Sequence, residues 1–345
     1  MSVTIKDIAR EAGVSYASVS RALSGSSGVS FQTAQRILEV AKRLNYSPNG
    51  IARNLVNQRS KTIGLILPDI SNPFFADIAL AVIHTAEKAG YQTILSNTDW
   101  ETRTQERQLQ LMREQRVDGV ILKPAQDAGE DIAYENLGLP AVLLHYSGSR
   151  VVSCVDTDHE YGGYLITRHL LDCGCRRIAF LGGLPDSRSN LQRLEGYSRA
   201  LHEAGLLPDS RLICHGPFTS ENGYEAAKNF MTKRTHPPDA FFCGNDVIAL
   251  GALQYAQEAG IPVPEELCIA GFDGISYASL AQIRLTTIRQ DRQRMGETAT
   301  HLLLDAVNNR AKATVQKILL TPTLLAQATT GPVRYAGEKK AKERV

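Results

Sequence analysis

Apolar positions recur at helical spacing over the first 57 residues. Beyond position 61 they fall in short runs separated by longer amphipathic stretches. Ile5, Ile8, Ala9 and Ala12 stand at i, i+3, i+4 and i+7, the buried stripe of a helix, and Thr4 with Asp7 forms a Thr/Asp variant of the capping box that would open it. Gly13 supplies a sharp turn, and Ser15 caps a second helix from Tyr16 to about Leu23. On that helix Val19, Ala22 and Leu23 share one face, while Ala17, Ser20 and Arg21 point the opposite way. Ser30 caps a third, with Ala34, Ile37, Leu38, Ala41 and Leu44 expected inward. Two short helices joined by a tight turn and closed by a third predict a helix-turn-helix unit. Ser47 as N-cap and Pro48 in the first turn start a fourth helix reaching about Asn57. It is too short to be stable alone, and its narrow stripe of Ile51, Ala52, Leu55 and Val56 would order only against a partner; a flexible linker is the other reading.

From Lys61 onward strands are predicted at Thr62–Leu67, Thr93–Ser96, Gly119–Leu122, Ala141–His145, Arg177–Leu181, Ala240–Cys243, Cys268–Phe272 and Thr286–Gln290. Helices are predicted near 74–89, 102–115, 160–172, 192–204, 221–232, 246–259 and 291–308. This alternation predicts an α/β fold of doubly wound parallel sheets with helices on both faces. The strands are too many for one ordinary unit, so two lobes with a cleft between them are expected. Small ligands bind off the carboxyl ends of parallel strands. The residues there are polar: Asp69, Asn72, Asn97, Asp99, His145, Asn245, Asp246, Asp273 and Gln290, with Phe74, Phe75 and Phe218 as apolar walls and Arg193 at a helix start. Donors and acceptors around a few aromatics suit a small polyhydroxylated or heterocyclic ligand. Singly, each Asn or Asp reads equally as a turn former or helix cap, Asn245 above all.

Charge changes the picture. Lys+Arg 38 against Asp+Glu 36 excludes a disordered or supercharged chain, but residues 1–61 hold nine basic side chains and three acids, so the head is +6 and the remaining 284 residues sum to −4. A basic head on a slightly acidic body is the layout of a nucleic-acid binder with a separate second function. No run approaches the ~18 apolar residues of a membrane span. Asp7 and Glu11 interrupt the stretch where an export signal needs apolar residues, and the six cysteines do not form a disulfide framework. A cytoplasmic protein is expected. Cys173 and Cys175 bracket one glycine, which invites a metal, yet no second Cys or His pair with zinc-site spacing accompanies them. No metal and no cofactor are expected. Nor is there a G-x-G-x-x-G after a strand, a P-loop or a G-x-S-x-G elbow; Gly182–Gly183 reads as a strand-end turn. An enzyme, and hence any catalytic residue, is not expected.

Tyr16, Ala17, Ser20 and Arg21 form the face that would enter a DNA major groove. Arg21 can bond guanine O6 and N7 together, Tyr16 offers a ring and a hydroxyl, and Ala17 allows close approach to a methyl group. The bland alternative is a solvated helix face. The segments VTIKDIAREAGVSYASVSRAL and LNYSPNGIARNL resemble the headpiece and hinge of the lactose-repressor (LacI/GalR) family of bacterial transcription regulators. That resemblance implies that Tyr16, Ala17 and Arg21 read bases, and that Leu55 is the hinge leucine wedged into the minor groove, with Asn49 and Ala52 beside it as DNA contacts. Ala17 departs from the longer polar residue frequent at its position, which leaves the preference at that base open.

The segments IGLILPDISNPFFADI, VDGVIL, RRIAFLGG, RLEGY, GNDVIALGAL, VPEELCIAGFD and TTIRQD resemble the effector-binding core of the same family, itself similar to periplasmic sugar-binding proteins. The resemblance covers about residues 3–325 and implies a headpiece at 1–57 with a hinge helix at about 47–57. It further implies a core at 58–335, with an N-lobe of about 61–157 and 288–318, a C-lobe of about 158–287 and 319–335, and a polar tail at 336–345. Implied effector contacts are Asn72, Phe74, His145, Arg193, Phe218, Asn245, Asp273 and Gln290, with Arg193 and Asp273 foremost. His145 stands where some relatives have Asp, which leaves the ligand class open and would favour an anionic or phosphorylated sugar. The tail AGEKKAKERV lacks leucine heptads, so a homodimer is expected. The function expected is a repressor that binds a near-palindromic double-stranded operator as a C2 dimer and is released by a small sugar-like effector. A corepressor-dependent regulator and a solute-binding protein without a DNA role are the alternatives.

Overall fold

The computed structural model describes residues 3–24, 27–46, 59–125, 137–144, 152–233, 235–309 and 314–332. The chain forms two compact units that divide after Lys61. In the first, α1 (Ile5–Ala12), α2 (Tyr16–Ser24) and α3 (Phe31–Arg43) close on Ile8, Ala12, Val19, Ile37, Val40 and Ala41. The α1 start is fixed by Asp7 Oδ2, which accepts from Thr4 N at 3.0 Å and from Thr4 Oγ1 at 2.7 Å. The helix stops at Gly13, whose φ of 63° suits a residue without Cβ. Ser15 Oγ accepts from Ser18 N at 3.2 Å and Ser30 Oγ from Thr33 N at 3.3 Å, so both expected caps form. One inward expectation fails. Leu38 is 49% exposed and Val40 is buried, because Ile37, Val40, Ala41 and Leu44 keep the i, i+3, i+4, i+7 stripe and Leu38 lies a sixth of a turn or more outside it. The helix expected over 47–57, with Asn49, Ala52 and Leu55, lies outside the described residues.

The second unit carries β1 (Thr62–Leu67), β2 (Gln92–Asn97), β3 (Gly119–Leu122), β4 (Ala141–Leu143), β5 (Ser153–Thr157) and β6 (Ile178–Leu181). It continues with β7 (Ile213–Cys214), β8 (Ala240–Cys243), β9 (Cys268–Asp273), β10 (Thr286–Arg289), β11 (Lys317–Leu320) and β12 (Thr323–Leu325). Its helices are α4 (Pro73–Lys88), α5 (Thr102–Glu114), α6 (His159–Asp172), α7 (Arg188–Glu203), α8 (Ser220–Thr232), α9 (Asp246–Glu258) and α10 (Arg292–Asn308). The described strands form two sheets, ordered β11-β5-β4-β3-β1-β2 and β12-β10-β9-β8-β6-β7. All pairings are parallel except β10 with β12. Helices cover both faces of each sheet. In the first lobe α4 and α10 bury Ile78, Val82, Ala299 and Leu303 on one side, while Leu109 and Met112 of α5 pack on the other. In the second, α8 and α9 bury Ala227, Phe230, Ile248 and Ala252, opposite Ile166, Leu170, Tyr197 and Ala200 of α6 and α7. The chain passes between the sheets after β5, after β10 and between β11 and β12.

The helix pair α6–α7 touches backbone to backbone. A Cβ on Gly163 would lie 2.2 Å from Arg193 O, and one on Gly196 would lie 2.0 Å from Glu160 O. That approach brings the N-terminus of α6 against Arg193. Gly163→Ala should therefore force the helices apart and destabilise the core by about 1–3 kcal/mol through overpacking. A lower urea midpoint at unchanged m-value is the expected result; an unchanged midpoint would show that the helices have room to spare.

Candidate functional site

In the first sheet β2 and β3 lie on opposite sides of β1, and in the second β7 and β8 flank β6. At such switch points the loops after adjacent strands diverge and leave a crevice. The crevices face one another across a shared cavity that opens to solvent. Asp69 and Asn72 follow β1, Trp100 follows β2 and Lys123 follows β3; Phe218, Asn245 and Gln290 follow β7, β8 and β10, and Asp273 ends β9. Phe74, Phe75, Asp156, His159, Ser189 and Arg193 complete most of the lining.

One wall is aromatic. Phe74 meets Phe75 edge-on at 5.1 Å, Phe75 meets Trp100 at 5.9 Å, and Trp100 stacks on Phe218 at 5.7 Å with planes 28° apart. The stack crosses from the loop after β2 to the loop after β7, so it bridges the two lobes. Asp99 and Trp100 reach it through consecutive positive φ values of 53° and 60°, a region that bulky side chains rarely occupy. Phe218 in turn lies flat on Gly183, where a Cβ would fall 2.0 Å from the ring. Gly183 thus serves the aromatic wall as well as the turn after β6.

The other wall is charged and buried. Arg193 is 5% exposed, with its guanidinium carbon 3.8 Å above the centre of the Phe272 ring. It donates through Nη1 to Gly244 O and through Nε and Nη2 to His159 Nδ1 at 3.4 and 3.3 Å, and Nη2 stands 3.9 Å from Asp273 Oδ1. His159 Nε2 is 3.1 Å from Asp156 Oδ1. Asp273 adopts φ 127°, accepts from Gln290 Nε2 at 2.7 Å, and has its carbonyl held by Arg292 Nη1 at 2.6 Å. Burial raises the Asp273 carboxyl above its ordinary range, and Arg193 offsets only part of that. Gln290 Oε1 is buried without a hydrogen-bond partner among the described residues. A bound molecule would therefore meet a fixed cation, a carboxylate and a waiting acceptor opposite flat apolar rings.

Among the residues expected here, Asn72, Phe74, Arg193, Phe218, Asn245, Asp273 and Gln290 line the one cavity. His145 lies outside the described residues. Asn72 and Asn245 also cap α4 and α9, accepting from Phe74 N at 3.0 Å and Ile248 N at 2.9 Å, so the cap reading and the lining reading hold together. Asp246 is fully buried away from the cavity, accepting from Thr287 Oγ1 at 2.5 Å and Ile275 N at 2.8 Å; it anchors the turn after β9. Asn97 and Asp99 bond one another at 2.5 Å and shape the loop before Trp100. Trp100, Lys123, Asp156, His159 and Ser189 were not anticipated. The position of Trp100 and Lys123 directly after predicted strands was the available signal; Asp156 and His159 lie on and after β5, a strand the pattern did not disclose.

On the first unit Tyr16, Ala17, Ser20 and Arg21 all lie on the exposed face of α2, opposite buried Val19. The Arg21 side chain passes beside Gly28, whose φ is 106°. No helix among the described residues is long and apolar enough to cross a membrane.

Comparison with known proteins follows the same division. Residues 4–49 match the family described as bacterial regulatory proteins, lacI family, and residues 167–330 match the periplasmic binding protein-like domain. The HTH-type transcriptional repressor PurR of Haemophilus influenzae (strain PittEE) is 33% identical over 327 residues, covering 93% of this chain and 97% of the relative. The lac repressor dimer bound to operator and the anti-inducer ONPF superposes with a TM-score of 0.86 at 27% identity, covering 96% of this chain and 100% of the other. The transcriptional regulator CelR–cellobiose complex gives 0.71 at 29% identity, covering 95% and 99%. With a helix-turn-helix head, a two-lobed core and relatives matched over nearly their whole length, the chain belongs to the lacI family of bacterial regulatory proteins and is a DNA-binding transcription regulator with a ligand-binding core.

Proposed function

We propose that this regulator is a cytoplasmic repressor that grips a near-palindromic double-stranded DNA operator as a homodimer and lets go when a small sugar-like effector fills the core cavity. The head spans 1–57 and reads bases through Tyr16, Ala17, Ser20 and Arg21, with Asn49, Ala52 and Leu55 of the hinge at the operator centre. The core spans 58–335, and its cavity contacts the effector through Asn72, Phe74, Arg193, Phe218, Asn245, Asp273 and Gln290, joined by His145.

The observation that carries the effector reading is the pairing of Arg193 and Asp273 with the unpartnered Gln290 Oε1, opposite the Phe74–Trp100–Phe218 wall. A hydroxyl both donates and accepts, so adjacent hydroxyls on one ring satisfy a guanidinium, a carboxylate and an amide oxygen at once. The C–H face of that ring then lies on the aromatics. Cellobiose in the CelR complex is a ligand of this chemistry.

A second copy is supported by apolar side chains left exposed. Leu80 lies on α4, Ile94 and Leu95 lie on the sheet-edge strand β2, and Tyr277 and Leu280 lie beside a 3-10 turn after β9. An edge strand with exposed apolar residues is normally covered. The cavity reaches the first lobe through Arg292, which donates to Asp77 Oδ2 on α4 at 2.9 Å while holding the Asp273 and Gly274 carbonyls at 2.6 and 2.7 Å. A ligand that shifts Asp273 must strain or release this clamp, and a coupling of about 1–3 kcal/mol changes operator affinity about 5- to 150-fold.

The decisive experiment is a thermal-shift screen of the chain against sugars, sugar acids, sugar phosphates and purines, followed by footprinting with each hit. A ligand at 100 times its Kd should add about 2.7 kcal/mol of stability. Loss of a symmetrical footprint on adding that ligand is expected; a strengthened footprint would reverse the sign to corepression. Arg21→Ala should weaken specific operator binding roughly 10- to 100-fold while leaving the ligand-induced thermal shift intact; equal loss of both would contradict separate modules. Asp273→Asn should abolish the ligand shift, and its stability relative to the wild type should be higher at pH 8 than at pH 5 by on the order of 1 kcal/mol, since the ionised carboxyl is disfavoured where it is buried. The folded core holds this proton more tightly than the unfolded chain does, so the gain should fade as pH falls toward ~4. Melting curves at pH 8 and pH 5 that show the same difference would place the cost elsewhere.

A further inference from the structure

Arg193 is held by a residue that the sequence did not single out. Its contacts to His159 Nδ1, at 3.4 Å from Nε and 3.3 Å from Nη2, come from a group that can only donate. Nδ1 must therefore be bare, and the imidazole proton sits on Nε2, where it donates to Asp156 Oδ1 at 3.1 Å. Asp156 Oδ1 is itself fixed by Thr157 N at 2.8 Å. All three side chains are buried, at 6–8% exposure for the His–Asp pair and 5% for Arg193. Asp156 lies next to the end of β5 in the first lobe, His159 is the first residue of α6 after the chain crosses over, and Arg193 stands on α7 in the second lobe.

We propose that His159 is a positioning residue for Arg193: Asp156 fixes its tautomer, and the bare Nδ1 holds the guanidinium in the orientation that faces the cavity. The guanidinium cannot swing or translate relative to β5 without losing one of two hydrogen bonds, so the grip on a ligand is tied to the first crossover between the lobes. The consequence for ligand binding rests on the reading of the cavity as an effector site; the relay itself does not. Among the described residues, the charged groups facing the imidazole are Asp156 and Lys123 from the first lobe and Arg193 from α7, and the Phe272 ring lies 5.7 Å from it. Burial holds the imidazole below its ordinary value, with Arg193 acting in the same direction and Asp156 against it. A proton added at Nδ1 would replace an acceptor by a donor and set two cations face to face.

The test uses the full chain without ligand, followed by side-chain NMR of histidine nitrogens and of the arginine Nε–H groups. In the wild type His159 should keep Nε2–H and a bare Nδ1 from pH 8 to pH 6. The Arg193 Nε–H should be protected from exchange with water. His159→Asn places Oδ1 close to where Nδ1 stood and should retain that protection. His159→Gln places its acceptor nearer Nε2 and should speed exchange about tenfold or more. Equal protection in the two variants, or a proton on Nδ1 in the wild type, overturns the proposal. D-ribose and cellobiose serve as probes of the cavity: a loss of about tenfold or more in affinity for His159→Gln but not His159→Asn is expected, and equal affinity in both overturns the positioning role. Failure of every compound in the thermal-shift screen to bind the wild type would instead count against the effector reading, with the NMR result still deciding the relay.

Discussion

The cavity is organised by one buried cation. A guanidinium that is 5% exposed has lost nearly all its water, and an unpaired charge in that position would be prohibitively costly. Everything adjacent to Arg193 answers that requirement. The Gly244 carbonyl, the His159 imidazole and the Phe272 ring receive it, and Asp273 supplies the opposite charge at 3.9 Å. These partners come from the loop after β8, the start of α6 and the end of β9, so satisfying one side chain fixes three segments at the carboxyl edge of the second sheet. The close crossing of α6 and α7 at Gly163 and Gly196 follows from the same need, since it sets the distance from His159 to Arg193.

The described residues satisfy this arrangement incompletely. Asp273 is held at φ 127°, its carboxyl is pushed up by burial, and Gln290 Oε1 lacks a partner among the described residues. Trp100 also occupies a strained backbone region to reach Phe218. Strain and unmet hydrogen bonds of this kind collect where a ligand is to bind, because a ligand that supplies the missing donors recovers their cost. The buried Asp246 shows the contrast. Burial pushes its carboxyl up as well, but it takes hydrogen bonds from Thr287 Oγ1 and Ile275 N, and it serves the turn rather than the cavity.

How much of this was legible in the sequence depended on whether a feature is local. The caps at Thr4, Ser15 and Ser30 and the strands Thr62–Leu67, Gly119–Leu122 and Ala240–Cys243 are set by neighbouring residues, and they stand where spacing put them. The strands β5, β7, β11 and β12 were missed. They are two to five residues long and have no pattern of their own; pairing with a neighbour defines them. Overlooking β5 hid Asp156, and with it the role of His159, which without its partner reads as an ordinary helix-start residue. Trp100 was hidden differently. Its contact with Phe218 joins positions more than a hundred residues apart, and no local pattern announces a pair of positive φ angles at Asp99 and Trp100. Asn72 and Asn245 were legible twice over, because the residue that caps a helix after a parallel strand necessarily stands at the edge of the crevice.

The route from ligand to first lobe is also a matter of which elements cross over. Two of the three crossings carry a buried or half-buried polar link to the cavity. Asp156–His159–Arg193 spans the first, and Asp77–Arg292–Asp273 spans the second. Both links end on the Arg193–Asp273 pair, one on the cation and one on the carbonyl of the anion. A molecule entering between those two groups would act on both crossings at once. A rotation between lobes that preserved one link while breaking the other would leave a buried donor unsatisfied, at a cost of about 1–3 kcal/mol. That is the same size as the coupling a regulator needs. Two arrangements in which both links are intact, or both remade, are thus favoured over a continuum of intermediate ones, and a small displacement at the cavity becomes a discrete change in the first lobe.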